Sequence, residues 1–207
     1  MRNMLMEYEQ AKSLLEKYGI KSIESRYIED IEELKDFIKK TNGRVALKAI
    51  SQNALHKSKA GLVELNVTID DAEKRYNELI KKAKKYAPFK ILAQKMAEPG
   101  IEIIIGGRED QQFGKLILLG LGGVFVEAFR DFSLRVCPIT KYDAEQMINE
   151  LKSKNVITYN GKAENMIIKL LLNVSKMLEE NEIKELDLNP IIVRENGYDA
   201  VDLRIIE

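Results

Sequence analysis

Three oxygen-bearing side chains lie near the carboxyl end of the chain, around a predicted hairpin. Asn196-Gly197 is a dipeptide typical of a two-residue β-turn. In the register that we predict from this turn, Asp202 lies opposite Ile191. Because side chains repeat every second residue on one strand face, we expect Asp187, Asn189 and Asp202 to share a face. Two carboxylates and an amide oxygen suit Mg²⁺, so the spacing predicts a metal site, with a solvated hairpin face as the alternative.

A lysine interrupts an apolar segment in the first half of the chain. Lys48 lies within residues 45–50, which are otherwise apolar and predict a strand. Burial of an ammonium group is costly unless the group reaches an anion or water, and a phosphate group would serve. The alternative is a lysine on an edge strand that prevents aggregation.

The single histidine, His56, lies in a polar loop over residues 51–60. Lys57 and Lys59 flank it, and Gly61 permits close approach of the backbone to a ligand. Cations, a hydroxyl group and a glycine in one loop can hold phosphates. A neutral imidazole there could accept a phosphoryl group as a nucleophile. The alternative is a surface histidine in a basic loop.

Helical and strand patterns alternate along the chain and predict a mixed α/β (α+β) protein. The predicted helices cover residues 7–18, 30–43, 70–86, 141–152 and 162–180. The predicted strands cover residues 44–50, 61–68, 89–96, 101–107, 115–121 and 124–129, with a closing pair around the Asn-Gly turn. Residues 120–123 are glycine-rich and predict either backbone N–H groups near an anion or a tight turn between two buried strands. This order predicts a small lobe over residues 1–87 and a larger lobe over residues 88–207, with a ligand cleft between them.

The composition excludes several classes of protein. The 33 basic residues balance the 33 acidic ones, so there is no electrostatic reason to expect a nucleic acid or an anionic membrane as partner. One cysteine cannot form an internal disulfide. The uncharged residues 116–126 are too few for a membrane span, and the acidic start is unlike a signal peptide. We therefore expect a cytoplasmic globular protein.

Taken in order, these segments resemble the ATP-grasp domain, the β subunit, of the ADP-forming (NDP-forming) acyl-CoA synthetases. Succinyl-CoA synthetase β chains are similar more distantly. The resemblance covers almost the whole chain and implies an ATP-grasp fold of two lobes with the nucleotide held between them. It rests on residues 9–20, 45–48, 55–58, 94–96, 99–102, 112–114, 120–127, 185–190 and 200–202. One departure is Leu62, where relatives usually have a second glycine after Gly61.

The resemblance also implies roles for individual residues. Lys48 matches a lysine that contacts ATP phosphates, and Glu102 an acidic residue near the ribose and phosphates. Asn189 and Asp202 match Mg²⁺ ligands, with Asp187 beside them, and His56 matches a histidine that carries phosphate. The remaining nucleotide-binding positions implied are those of the phosphate loop and the adenine hinge, Lys57, Gly61, Gln94, Lys95, Met96 and Ala97.

The function implied is a ligase that forms a carbon–sulfur bond. Such enzymes interconvert acyl-CoA, ADP and phosphate with acid, CoA and ATP through acyl-phosphate and phosphohistidine intermediates. The chain has no second histidine and no CoA-binding dinucleotide-type pattern, so we expect acyl transfer on a partner α subunit in a hetero-oligomer. The alternative is a nucleotide-binding module with a regulatory or scaffolding role. The joint presence of Lys48, His56, Asn189 and Asp202 favours the enzyme.

Overall fold

The computed structural model describes residues 4–51, 53, 61–123 and 131–207. The predicted strand over residues 124–129 and the candidate site residues His56 and Lys57 lie outside them. The chain divides into two compact units. We call Ile23–Ala97 the four-stranded unit, and the chain up to Ser22 together with that from Glu98 onward the six-stranded unit.

The predicted helices and strands within the described residues are confirmed, with ends that differ by a few residues. In chain order the elements are α1 (Tyr8–Lys17), β1 (Ser25–Ile28), α2 (Ile31–Lys40), β2 (Arg44–Ile50), β3 (Val63–Thr68), α3 (Ala72–Ala83), a 3₁₀ turn (Lys84–Tyr86), β4 (Lys90–Lys95), β5 (Ile101–Asp110), β6 (Gly114–Leu121), β7 (Phe132–Val136), α4 (Lys141–Asn149), α5 (Lys154–Ile157), α6 (Glu164–Glu180), β8 (Glu185–Arg194), β9 (Gly197–Ala200) and β10 (Leu203–Ile206).

Side-chain caps explain where two of the helices begin. The Asp30 carboxylate accepts a hydrogen bond from the Glu33 N–H at 2.9 Å and so starts α2. Thr140 and Asp143 form a reciprocal capping box at the start of α4.

The four-stranded unit contains an antiparallel sheet in the order β1-β4-β2-β3. Alternate residues of β2 and β4 pack into one apolar core with α2 and α3. The β2 and β4 residues in this core are Val45, Leu47, Ala49, Ile91 and Ala93. The residues between them therefore lie on the other face of the sheet, away from the two helices.

The six-stranded unit contains an antiparallel sheet in the order β10-β8-β5-β6-β7, and β9 pairs with β8. Ile103 and Ile105 on β5 and Leu188 on β8 are fully buried. Helix α6 packs closely on the sheet, because a Cβ atom on Gly107 would lie 2.6 Å from Leu178 Cδ2 of that helix. The opposite face of the sheet carries the polar residues of the candidate site.

The division into units differs from the predicted boundary between residues 87 and 88. β4 lies after that boundary, but it pairs with β1 and β2 and so belongs to the four-stranded unit. α1 lies before the boundary, but it packs against β10 of the six-stranded unit. Backbone pairing between distant segments, and not their order in the chain, decides the division.

No helix within the described residues is both long and apolar enough to cross a bilayer.

Candidate functional site

Lys48 lies on an interior strand. It pairs with Leu92 of β4 on one side and with Val63 of β3 on the other. The edge-strand alternative for this lysine is therefore wrong. Only 5% of Lys48 is exposed, although an ammonium group is strongly hydrated in water. Lys48 is thus a buried cation on the sheet face that lies away from α2 and α3.

Gln94 shares that face with Lys48. It lies on β4 opposite Ala46 of β2, so it is the diagonal neighbour of Lys48, and it is 1% exposed. The three residues that follow, Lys95, Met96 and Ala97, are half-buried, and Ala97 is the last residue of the four-stranded unit. The Lys95 N–H donates a hydrogen bond to the Glu24 carbonyl at 2.9 Å. The adenine-binding role of residues 94–97 stays a prediction.

Glu102 lies on the face of the six-stranded sheet away from α6 and packs under two glycines. The Gly122 N–H donates to the Glu102 carbonyl at 2.7 Å. A Cβ atom on Gly122 would lie 2.8 Å from the Glu102 carbonyl carbon, and one on Gly123 would lie 2.8 Å from Oε2. Gly122 and Gly123 therefore let the chain pass directly over Glu102. The spacing of these glycines in the sequence does not predict this contact.

The predicted metal ligands meet at the junction of β8, β9 and β10. Leu203 pairs with Leu188, and the Asn189 N–H donates to the Asp202 carbonyl at 3.3 Å. The predicted register, with Asp202 opposite Ile191, is wrong by two residues, because Ile191 pairs with Ala200. A shift of two residues leaves every side chain on its original face, so this change keeps the expected grouping.

Among the three predicted metal ligands, the acidic side chains of Asp187 and Asp202 lie near each other. Burial raises the pKa of Asp187, the charge of Asp202 raises it further, and Arg204 opposes the rise. A divalent cation would relieve such like-charge repulsion. No cluster of three or more His, Cys, Asp or Glu residues suited to a metal occurs in the described part of the chain. Asn189 lies next to Asp202 and carries an amide oxygen, so the two carboxylates and this amide are of the ligand types that Mg²⁺ accepts.

Gly61 and Leu62 follow the predicted phosphate loop, and the surroundings of Leu62 explain why this chain has a leucine where relatives usually have a glycine. Gly61 has a φ of +66°, a backbone conformation that favours glycine. Leu62 is fully buried in the core of the four-stranded unit, and the Ala49 N–H donates to its carbonyl at 2.9 Å. A leucine therefore fills core space that a glycine would leave empty.

The candidate residues thus form two groups, one in each unit. Lys48 and Gln94 share a sheet face in the four-stranded unit, and Glu102 lies on the same sheet face as the predicted metal ligands in the six-stranded unit. Sequence reasoning missed Asp199, a buried carboxylate that forms ion pairs with Lys21 and Arg194. Arg194 lies five residues before Asp199 in the same hairpin, and long-range pairing brings Lys21 to them.

The fold and these two groups of residues define a protein of the ATP-grasp class. The sequence profile described as the ATP-grasp domain matches residues 1–206. The β subunit of acetate–CoA ligase [ADP-forming] II from Pyrococcus furiosus is 38% identical, with 99% of this chain and 92% of that protein covered. The chain belongs to the family of ADP-forming acetate–CoA ligases.

Two further proteins extend the comparison. Acetate–CoA ligase [ADP-forming] I from Archaeoglobus fulgidus is 37% identical over 93% of this chain, which spans 30% of that longer protein. The dinucleotide forming acetyl-coenzyme A synthetase 1 of Ca. Korarchaeum cryptofilum has a TM-score of 0.82 and 38% identity, with 98% of this chain and 92% of that one covered. That structure contains coenzyme A and Mg-AMPPCP, and its phosphohistidine segment points towards the nucleotide-binding site.

Proposed function

We propose that this chain is the β subunit of an ADP-forming acyl-CoA synthetase. It binds Mg-ATP or Mg-ADP and transfers the phosphoryl group through a phosphohistidine in the reaction acyl-CoA + ADP + phosphate = acid + CoA + ATP. The observation that carries this proposal is the pairing of Asn189 with Asp202 beside Asp187, three hard oxygen donors on one sheet face. The names of the relatives support the reaction. The cytoplasmic location stays a prediction from the composition.

Each candidate residue has a defined task in this proposal. Asp187, Asn189 and Asp202 hold Mg²⁺, which neutralises phosphate charge when it is bound. Lys48 contributes a buried positive charge to the phosphates, and Glu102 contacts the ribose or phosphates. Residues 94–97 hold the adenine ring. Phosphoryl transfer depends mainly on such positioning and charge neutralisation.

His56 supplies the nucleophile. A nitrogen of its neutral imidazole attacks the γ-phosphorus of ATP, a nitrogen–phosphorus bond forms, and the bond to the β,γ-bridging oxygen breaks, so that ADP leaves. An unperturbed imidazole has a pKa of about 6.5 and is largely neutral at cytoplasmic pH. Lys57 and Gly61 contribute to the loop that surrounds the transferred phosphate.

The acyl and CoA chemistry requires more protein than this chain provides. The single-chain Archaeoglobus fulgidus relative is matched over 30% of its length, whereas the Pyrococcus furiosus relative is named as a subunit and is matched over 92%. We therefore propose that a separate α subunit supplies the CoA-binding and acyl-transfer sites. The combined enzyme is then a hetero-oligomer.

Asp202→Asn tests the metal site directly. The substitution removes a charged ligand, so the Mg²⁺ concentration for half-maximal ADP binding is expected to rise about tenfold or more, with a smaller change in ADP affinity at saturating Mg²⁺. Calorimetric titrations with ADP over a series of Mg²⁺ concentrations measure both quantities.

Glu195→Gln is the matched control for this substitution. Glu195 is an exposed carboxylate in the turn of the same hairpin, and it lies 2.8 Å from the Lys162 ammonium. The Mg²⁺ dependence of this variant should equal that of the wild type. An unchanged Mg²⁺ dependence in Asp202→Asn would show that these oxygens do not form the metal site.

A further inference from the structure

The chain leaves the six-stranded unit along residues 19–22, and this first crossing is attached to the β8–β9 hairpin. The Ala200 N–H donates to the Lys21 carbonyl at 3.0 Å, and Ser22 forms a parallel bridge with Ala200. The Tyr198 hydroxyl accepts a hydrogen bond from the Lys21 N–H at 3.1 Å and donates one to the Gly19 carbonyl at 3.4 Å. Strand β9 therefore holds the backbone of the first crossing.

The chain re-enters the unit along residues 98–100, and this second crossing lies against the other strand of the same hairpin. A Cβ atom on Gly100 would lie 2.3 Å from the Val193 carbonyl oxygen and 2.8 Å from Ile192 Cγ2. The next residue, Ile101, pairs with Val193 in the sheet. Only a glycine fits at this distance from the backbone of β8, so both crossings are held by one hairpin.

A buried carboxylate links the hairpin strands to the first crossing. Asp199 on β9 is 9% exposed, and its Oδ1 lies 3.1 Å from the Lys21 ammonium while its Oδ2 lies 2.6 Å from the Arg194 guanidinium on β8. Burial alone would raise the pKa of Asp199, but the hydrogen bonds from Arg194 and Lys21 outweigh it and hold the pKa below its ordinary value. Asp199 is thus a charged anchor between three segments.

The same hairpin leads without a gap to the predicted metal ligands. Beyond Ala200, the Val201 N–H donates to the Pro190 carbonyl at 3.0 Å, and the next backbone contact joins Asn189 to Asp202. Two residues, Ala200 and Val201, therefore lie between the anchor Asp199 and the predicted metal ligand Asp202. A change at Asp199 can reach Asp202 through this short hydrogen-bonded segment.

We propose that Asp199 is a positioning residue. It fixes the first crossing on the hairpin, and the fixed hairpin in turn positions the Asn189–Asp202 pair. This inference rests on the proposed function for the identity of the metal site. The proposed role couples Mg²⁺ binding to the ordering of the hairpin at Asp199. Because such coupling is reciprocal, an anchor that orders the ligands must itself become more ordered when the metal binds. Mg²⁺ is therefore expected to slow amide exchange at Ala200, whose N–H is bonded to the first crossing.

Asp199→Asn in the full chain tests this role, with Glu195→Gln as the matched control. Glu195 lies in the turn of the same hairpin, but it is exposed and pairs with Lys162 at 2.8 Å, away from both crossings. Asp199→Asn is expected to raise amide exchange at Ala200 and to raise the Mg²⁺ concentration for half-maximal ADP binding about tenfold, with ADP affinity restored at saturating Mg²⁺. Glu195→Gln should change neither quantity.

A second pair of variants preserves the test if Asp199→Asn does not fold. The Lys21 side chain is 68% exposed, so Lys21→Met should fold, since exposed ion pairs contribute little to stability. It should shift the exchange and the Mg²⁺ dependence in the same direction, and Lys21→Arg, which keeps the charge, should restore both. A loss of thermal stability with wild-type Mg²⁺ dependence in folded variants would reduce the anchor to a structural role and overturn the proposal.

The failure of this inference is separable from failure of the proposed function. If the wild-type chain binds no Mg-ADP, the proposed metal site is wrong, and with it the link from anchor to metal. Exchange at Ala200 in Asp199→Asn would still show whether the carboxylate holds the crossing. If the wild type binds Mg-ADP and Asp199→Asn matches it in both readouts, only the anchor is wrong.

Discussion

Replacement of His56 by alanine is expected to abolish ATP formation from acyl-CoA, ADP and phosphate in the enzyme reconstituted with its α subunit. Removal of the nucleophile in covalent catalysis costs on the order of 10⁴-fold in rate or more, and the chain has no other histidine to replace it. Mg-ADP affinity should stay close to the wild-type value, because His56 reacts with the phosphate and does not hold the nucleotide. Steady-state kinetics and calorimetry on the same preparation measure the two effects.

Ser58→Ala is the control for this prediction. It changes another group able to accept a phosphoryl group in the same loop, so it should retain most of the turnover. Normal turnover in His56→Ala with the α subunit present would mean that His56 is a phosphate contact and not a carrier. Loss of nucleotide binding in His56→Ala would equally contradict the proposed role.

Lys48→Ala is expected to weaken ATP and ADP binding by about 10- to 100-fold. A hydrogen bond to a charged group contributes about 1.5–3 kcal/mol, and each 1.4 kcal/mol is about tenfold in affinity. The loss should be smaller for adenosine than for ATP, since the removed charge acts on phosphate. Calorimetry with ATP, ADP and adenosine separates the phosphate contribution from that of the base.

Arg44→Ala provides the comparison on the same strand. Arg44 is an exposed cation at the start of β2, whereas Lys48 is buried four residues later. Arg44→Ala should bind ATP as the wild type does. Equal ATP affinity in Lys48→Ala and the wild type, with both folded, would remove Lys48 from the nucleotide site.

The sequence predicted most elements well, because their signals are local. Asp30 marks a helix start by capping, and the apolar run over residues 45–50 marks a strand. The short elements β1, β7 and α5 were not predicted, since four or five residues carry too little periodicity. Local signals therefore distinguish long helices from long strands, but they do not detect every short element.

The register of the β8–β9 hairpin shows where a local signal was insufficient. Asn196-Gly197 correctly predicted a turn, but the pairing of Arg194 with Gly197 places the loop one residue earlier. The alternating pattern cannot detect the resulting two-residue shift, because both registers put the same side chains on the same face. The shared face of the predicted metal ligands was thus predictable, and their exact neighbours were not.

The features that were not predicted concern residues that meet only through the tertiary fold. The pairing of β4 with β1 and β2, the contact of Gly122 with Glu102 and the ion pair of Asp199 with Lys21 all join segments that are separated in the chain. Neither spacing nor composition identifies such partners. The position of Lys48 on an interior strand likewise required the sheet order. Its apolar neighbours predicted only that its ammonium group needs an anion or water, and its contact with phosphate stays a prediction.

Direct identification of the phosphorylated residue tests the central claim that this chain carries the phosphoryl group. The wild-type chain and His56→Ala are incubated with γ-labelled ATP and Mg²⁺, with and without the α subunit, and the label is tested for acid lability and located by peptide mass spectrometry. We expect an acid-labile label on His56 in the wild type and none in His56→Ala. A wild-type chain that binds Mg-ATP but acquires no label under either condition, or a label that persists in His56→Ala, would contradict the account.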